Sequence, residues 1–110
     1  MAEFITVARV EEVSEGRPKP IQLGNKLIGI FSDGGRYYAI EDTCPHMGAS
    51  LSEGTVENGV VTCCWHGWRF RLADGTWVDS PRVKIGSYPV RVMGDEIQVL
   101  IEDSGRQAGQ

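Results

Sequence analysis

All the cysteines and histidines of this 110-residue chain lie in two short segments. The first segment contains Cys44 and His46, and the second contains Cys63, Cys64 and His66. Thiolates and imidazoles are ligands for zinc and for iron–sulfur clusters, and such sites are often assembled from separate pairs. The two segments therefore predict a metal centre formed where two parts of the chain meet.

The rest of the sequence must supply a framework for these segments, and its pattern indicates short β-strands separated by turns. Strands are predicted at residues 4–10, 21–23, 26–31, 36–40, 55–57, 60–62, 68–72, 76–78, 88–93 and 96–101. The predicted hairpin turns are Gly24-Asn25, Asp33-Gly34-Gly35, Asn58-Gly59, Asp74-Gly75 and Gly94-Asp95. Turn signals at such short intervals are typical of an antiparallel sandwich or barrel, so we predict an all-β fold.

Both Cys/His segments fall in predicted loops. The first loop, residues 43–52, follows a predicted strand, and the second loop, residues 63–67, joins two predicted strands. Because the hairpin turn at Asn58 lies between the two loops, we expect it to fold them back toward each other. A third loop is predicted at residues 14–20, where two prolines cannot donate to a sheet, and a short helical turn at residues 10–14.

Length and composition indicate one folded domain without nucleic-acid function. The chain is 41% hydrophobic and has a formal net charge of −4, which argues against binding to phosphates. We expect the domain to cover residues 1–102, with residues 103–110 as a flexible polar tail. No apolar run is long enough to cross a bilayer, and the amino terminus lacks the features of a signal peptide. An odd number of cysteines is a poor disulfide framework, so we expect a cytoplasmic protein.

The spacing of the two pairs is specific. Sixteen residues separate His46 from Cys63, which gives Cys-x-His, sixteen residues, then Cys-x-x-His. This pattern resembles the Rieske family, in which two cysteines and two histidines hold a 2Fe–2S cluster. Residues 44–51 and 63–70 are similar to the two cluster-binding loops of that family, and Pro81 to its third, proline-containing loop. The resemblance covers almost the whole chain.

The resemblance implies the Rieske fold, an antiparallel sandwich of three small sheets with a cluster-binding subdomain at about residues 43–82. It also implies one Rieske-type 2Fe–2S cluster per chain. Cys44 and Cys63 are then expected to bind one iron, and His46 and His66 the other. Because neutral imidazoles replace two thiolates, the expected potential lies at roughly −150 to +300 mV, against about −400 mV for plant-type clusters.

Two alternatives remain open at the predicted metal site. Cys64 and His66 repeat the Cys-x-His spacing of the first pair, so Cys64 could replace Cys63 as a ligand. The Cys-x-x-His spacing of the family favours Cys63, and Cys64 is then a small packed residue. The other alternative is a closed zinc site, but structural zinc sites usually keep their cysteines together in Cys-x-x-Cys pairs.

Three positions distinguish this chain from the high-potential members that it resembles. Those members have a disulfide between the cluster loops and a serine hydroxyl that donates to the cluster. The matching positions here are Ala49 and Trp65 for the two cysteines, and Trp68 for the serine. Fewer donors stabilise the reduced state less, so we expect a potential in the lower part of the Rieske range.

The leading functional prediction is a one-electron carrier rather than an enzyme. The two histidines are both assigned to the cluster, and the sequence has no Gly-rich nucleotide fingerprint. The resemblance implies a Rieske ferredoxin that passes electrons from a flavin reductase to a terminal oxygenase, as in aromatic-ring dioxygenase systems. The alternatives are the small subunit of an assimilatory NAD(P)H nitrite reductase, which would bind a large subunit, and a structural zinc module for protein interaction.

Overall fold

The structure is a computed structural model that describes residues 2–14, 17–23, 26–43, 50–63 and 67–102. Its strands are β1 (Ala2–Arg9), β2 (Lys19–Leu23), β3 (Lys26–Asp33), β4 (Arg36–Glu41), β5 (Thr55–Glu57), β6 (Val60–Thr62), β7 (Arg69–Arg71), β8 (Thr76–Trp77), β9 (Ser80–Lys84), β10 (Ser87–Tyr88), β11 (Val90–Met93) and β12 (Glu96–Glu102). Two 3-10 helices, Val10–Glu12 and Leu51–Glu53, complete the described elements. Neither of them, nor any other described segment, is a helix long and apolar enough to span a membrane.

The strands form three sheets in which every recorded pairing is antiparallel. The first sheet has the order β1-β12-β11, the second β10-β4-β3-β2, and the third β5-β6-β7-β8-β9. The predicted all-β class and the three-sheet arrangement are therefore confirmed.

The second sheet is the middle layer, because alternate residues of its strands face opposite sides. Ile28, Ile30 and Ala39 are buried in one core together with residues of the first sheet, such as Ile97. Phe31 lies in a second core against the third sheet. The members of that second core are Phe31, Ile40, Leu51, Val61, Cys63, Phe70, Leu72 and Ile85.

The third sheet is inserted between β4 and β10 and positions both predicted loops. The chain leaves β4 at Glu41, passes through the first loop, and enters the third sheet at β5. The second loop connects β6 to β7, which are neighbouring strands of that sheet. The predicted turn between β5 and β6 forms with left-handed backbone at Asn58 (φ 55°) and Gly59 (φ 78°), as a tight hairpin requires.

Several sequence predictions differ from the structure. The strand predicted at residues 88–93 is divided at Pro89 into β10 and β11, which belong to different sheets. Strand β9 was not predicted at all. Pro20, placed in a predicted loop, lies in β2, an edge strand where its missing N–H is tolerated. The turn at residues 24–25 and the tail at 103–110 lie outside the described residues.

Candidate metal centre

The structure describes one of the four predicted ligands. Cys63 follows the last residue of β6 and is 2% exposed. Cys44, His46 and His66, and also Cys64, lie outside the described residues. The geometry of the candidate site is therefore defined by Cys63 and by the segments that enter and leave the two loops.

The second loop is closed by a backbone hydrogen bond. The N–H of Cys63 donates to the carbonyl oxygen of Trp68 over 2.7 Å. Gly67 has a φ of 73°, a left-handed conformation that glycine adopts without strain. On the strand side, Thr62 pairs with Arg69, so the β6–β7 ladder continues up to the loop. The backbone at both ends of the second loop is thus fixed in position.

The first loop is closed by side-chain hydrogen bonds to Asp42, which is 4% exposed. Its carboxylate accepts hydrogen bonds from the Ser50 hydroxyl (2.5 Å), the Ser52 N–H (2.6 Å) and the Ser52 hydroxyl (3.1 Å). This arrangement was not predicted from the sequence. Its only signal is an aspartate two residues before Cys44 and a Ser-x-Ser pair after the loop, a pattern too common to be diagnostic.

The ends of the two loops pack against each other. Gly54 follows the Leu51–Glu53 helix, and a Cβ atom placed on it would lie 1.9 Å from the carbonyl oxygen of Thr62. Leu51 is fully buried in the same core as Cys63. The structure therefore brings the end of the first loop against the residue that precedes Cys63, as expected from the intervening hairpin.

Aromatic residues line the exit of the second loop. The rings of Trp68 and Trp77 are stacked, with centroids 4.0 Å apart and planes 7° apart. Phe70 is fully buried in the same core as Cys63. The indole N–H of Trp77 is buried without a hydrogen-bond acceptor in the part of the chain that the structure describes. Trp68 offers a ring and no hydroxyl at this position.

Pro81 differs from its expected place. It is an exposed residue of β9, at the edge of the third sheet, and not part of a loop. The preceding turn is held against β7, because the N–H of Val78 donates to the carbonyl oxygen of Arg69 (2.9 Å). Since β7 leaves the second loop, Pro81 lies at the same end of the sheet as that loop.

Some of the charged side chains on β7 to β9 and their connecting turns form local pairs. Arg69 forms an exposed ion pair with Asp79 at 3.3 Å. Hydrogen bonds from Thr76, together with the nearby Arg71 and Lys84, lower the pKa of Asp74 from its ordinary value. Exposed pairs of this kind contribute little free energy.

The described part of the site fits a metal held by soft ligands. The Cys63 thiol is withdrawn from water at the end of a strand, and a buried thiolate ligand suits iron–sulfur clusters and zinc. Within the described ranges, no group of three or more His, Cys, Asp or Glu residues could hold a metal ion. A site would therefore need ligands from the segments 44–49 and 64–66, where the other predicted ligands are.

Comparisons with known proteins agree with this reading. The sequence matches the family described as Rieske [2Fe-2S] domain over residues 3–89. It is 35% identical to Ferredoxin CarAc of Metapseudomonas resinovorans over 99 residues, covering 86% of this chain and 92% of that protein.

Two solved structures are similar over most of the chain. The putative NADH-dependent nitrite reductase small subunit from Mycobacterium tuberculosis has a TM-score of 0.84 and 27% identity, covering 93% of this chain and 97% of that chain. A chain from the complex of reduced oxygenase and oxidized ferredoxin in carbazole 1,9a-dioxygenase has a TM-score of 0.77 and 33% identity, covering 87% and 91%.

Proposed function

This chain belongs to the Rieske [2Fe-2S] domain family, and we propose from that membership that it is the ferredoxin component of an oxygenase system. The cofactor of the family is one Rieske-type 2Fe–2S cluster per chain, and relatives such as Ferredoxin CarAc are electron carriers, not catalytic subunits. The observation that carries the proposal is the family match over residues 3–89 in a chain with the full set of two cysteines and two histidines.

The proposed ligands are Cys44 and Cys63 for one iron, and His46 and His66 for the other. When bound, the cluster supplies a site that accepts and releases one electron at a time. The chain's own contribution is to exclude water and fix the ligands. Cys63 is buried beside Leu51 and Phe70, and both loops are closed by hydrogen bonds at their ends.

The proposed partners are a flavin reductase as electron donor and a terminal oxygenase as acceptor. The similarity to a chain from an oxygenase–ferredoxin complex supports the second partner. The reductase is proposed because a one-electron carrier without a nucleotide site must be reduced by another protein. We also propose one domain over residues 1–102, with its cluster-binding subdomain at about 43–82, and a reducing compartment such as the cytoplasm, where thiol ligands persist.

The test of this function is electron transfer with the purified, cluster-loaded protein. The protein, reduced photochemically under anaerobic conditions, is expected to return one electron per chain to an oxidised acceptor such as cytochrome c. The same protein mixed with NADH alone should not be reduced, whereas adding a flavin-dependent ferredoxin reductase should allow reduction. Direct reduction by NADH, or no electron returned from a loaded protein, would count against a simple carrier.

A second candidate is the small subunit of a nitrite reductase, which the similarity to such a subunit (TM-score 0.84, 27% identity) supports only weakly. The two functions differ in the partner that accepts the electron. The reduced protein is expected to be reoxidised by a ring-hydroxylating oxygenase and to remain reduced beside a sirohaem nitrite reductase. Stable co-purification with a nitrite reductase large subunit would instead support the second candidate.

A further inference from the structure

We propose that Asp42 is a positioning residue for the metal centre. With Ser50 and Ser52 it forms a clasp between the residues that flank the segment 44–49, which carries the proposed ligands Cys44 and His46. The proposal rests on the proposed function in one respect, because that function supplies the identity of the two ligands.

The clasp is a partly buried network in which one carboxylate accepts three hydrogen bonds. The Oδ1 atom of Asp42 accepts the Ser52 N–H at 2.6 Å, and Oδ2 accepts the hydroxyls of Ser50 at 2.5 Å and of Ser52 at 3.1 Å. The two serine hydroxyls also lie 2.9 Å apart. Hydrogen bonds to a charged acceptor are about twice as strong as neutral ones, and more so away from water.

The backbone of Asp42 anchors the clasp to the middle sheet. Its N–H donates to the carbonyl oxygen of Leu27 in β3 at 2.9 Å. Its own carbonyl oxygen accepts the N–H of Leu51 at 3.3 Å. Asp42 therefore joins a rigid strand to the residue that begins the second 3-10 helix, which in turn packs against β6 beside Cys63.

Space for the carboxylate is provided by Gly29. A Cβ atom on Gly29 would lie 3.0 Å from Oδ1 of Asp42 and 2.7 Å from the ring of Phe31. A side chain at this position would therefore displace the carboxylate or the ring. The absence of a side chain in the middle of a buried strand is explained by the clasp and by Phe31 together.

The clasp residues lie beside the segment that carries two of the proposed ligands. Asp42 lies two residues before Cys44, and Ser50 directly follows the segment 44–49. Holding the two ends of a short segment together lowers the conformational entropy that remains to be lost when the segment binds a metal. Outer hydrogen bonds that orient metal ligands typically change metal affinity by about ten- to a hundredfold when removed.

The test compares four variants with the loaded wild-type protein. Asp42→Ala removes all three acceptor contacts, Asp42→Asn keeps the shape and one carbonyl oxygen, and Ser52→Ala removes one hydroxyl. Ser32→Ala is the matched control, because Ser32 is also a buried hydroxyl (8% exposed) but lies at the other end of β3. The readouts are far-UV circular dichroism, the rate of cluster loss to a chelator, and the EPR spectrum of the reduced state.

We expect Asp42→Ala to lose its cluster about ten- to a hundredfold faster than wild type, with an altered EPR spectrum. Asp42→Asn and Ser52→Ala should show smaller changes in the same direction, and Ser32→Ala none. If Asp42→Ala does not fold, the graded behaviour of Asp42→Asn and Ser52→Ala decides. Folded clasp variants with wild-type loss rates and spectra would overturn the clasp. A wild-type protein that binds no cluster would overturn the proposed function instead.

Discussion

At the scale of single residues, Cys63 is the predicted ligand that the structure describes. The neighbouring Cys64 is the alternative ligand that the sequence leaves open. Cys63 is buried at the end of β6, with its backbone bonded to Trp68. We predict that Cys63→Ser abolishes the visible absorption of the cluster and that Cys64→Ser retains it. Ultraviolet–visible spectra and iron content of the two purified variants provide the measurement.

The two serine variants control for each other, because they differ by one position and make the same chemical change. Retained absorption in Cys63→Ser, with loss in Cys64→Ser, would reverse the ligand assignment. The Cys-x-x-His spacing would then be wrong for this chain, and the buried Cys63 would be a core residue.

Tyr88 gives a second prediction at this scale. Burial, and to a lesser extent the nearby Glu41, raise the pKa of Tyr88 above its ordinary value of 10.0. The folded state therefore keeps this proton at pH values where the unfolded state has lost it. The resulting stability is complete below pH 10 and is lost as the pH rises toward the folded-state pKa of Tyr88.

We therefore expect the free energy of unfolding to fall above about pH 10, and to fall less steeply in Tyr88→Phe. Urea denaturation of both proteins between pH 8 and 11 measures the difference. Identical slopes in the two proteins would mean that other groups dominate the alkaline loss of stability.

At the scale of elements, the contact between the first loop and β6 gives a prediction about Gly54. A methyl group at this position would lie 1.9 Å from a backbone carbonyl oxygen that cannot rotate away. We expect Gly54→Ala to lower the free energy of unfolding by about 3 kcal/mol and to weaken cluster retention. Urea denaturation and chelator challenge measure the two effects.

Gly34→Ala is the control, since Gly34 has a φ of 63° and open space around it. It should cost only the left-handed strain of alanine, about 1 kcal/mol, and leave cluster retention unchanged. Equal effects of both substitutions would show that the junction with β6 is not a tight contact.

The elements could be predicted from sequence where local chemistry decides them. The Asn58-Gly59 turn and strands β5 and β6 follow from a hairpin signal between β-branched residues, and the structure has the predicted bounds. Strand β9 could not be predicted, because Pro81 and two charged residues mask an edge strand with only one face against the core. The Asp42 clasp could not be predicted either, since its hydrogen bonds depend on how the loop closes.

At the scale of the whole molecule, the proposed electron-transfer site belongs to one of the two hydrophobic cores of the domain. The middle sheet has one core on each face, and only the core facing the third sheet contains Cys63. The division of the predicted strand 88–93 at Pro89 belongs to this scale. Sequence periodicity cannot reveal that β10 joins the middle sheet while β11 joins the first, because sheet membership is a tertiary property.

The most direct test of the central claim is an EPR-monitored redox titration of the purified protein loaded with iron and sulfide. We expect one electron per chain, taken up by a Rieske-type cluster. Because Trp68 offers no hydroxyl, the midpoint potential should fall below zero, in the lower part of roughly −150 to +300 mV. A colourless protein that retains zinc and has no reducible centre would contradict the claim.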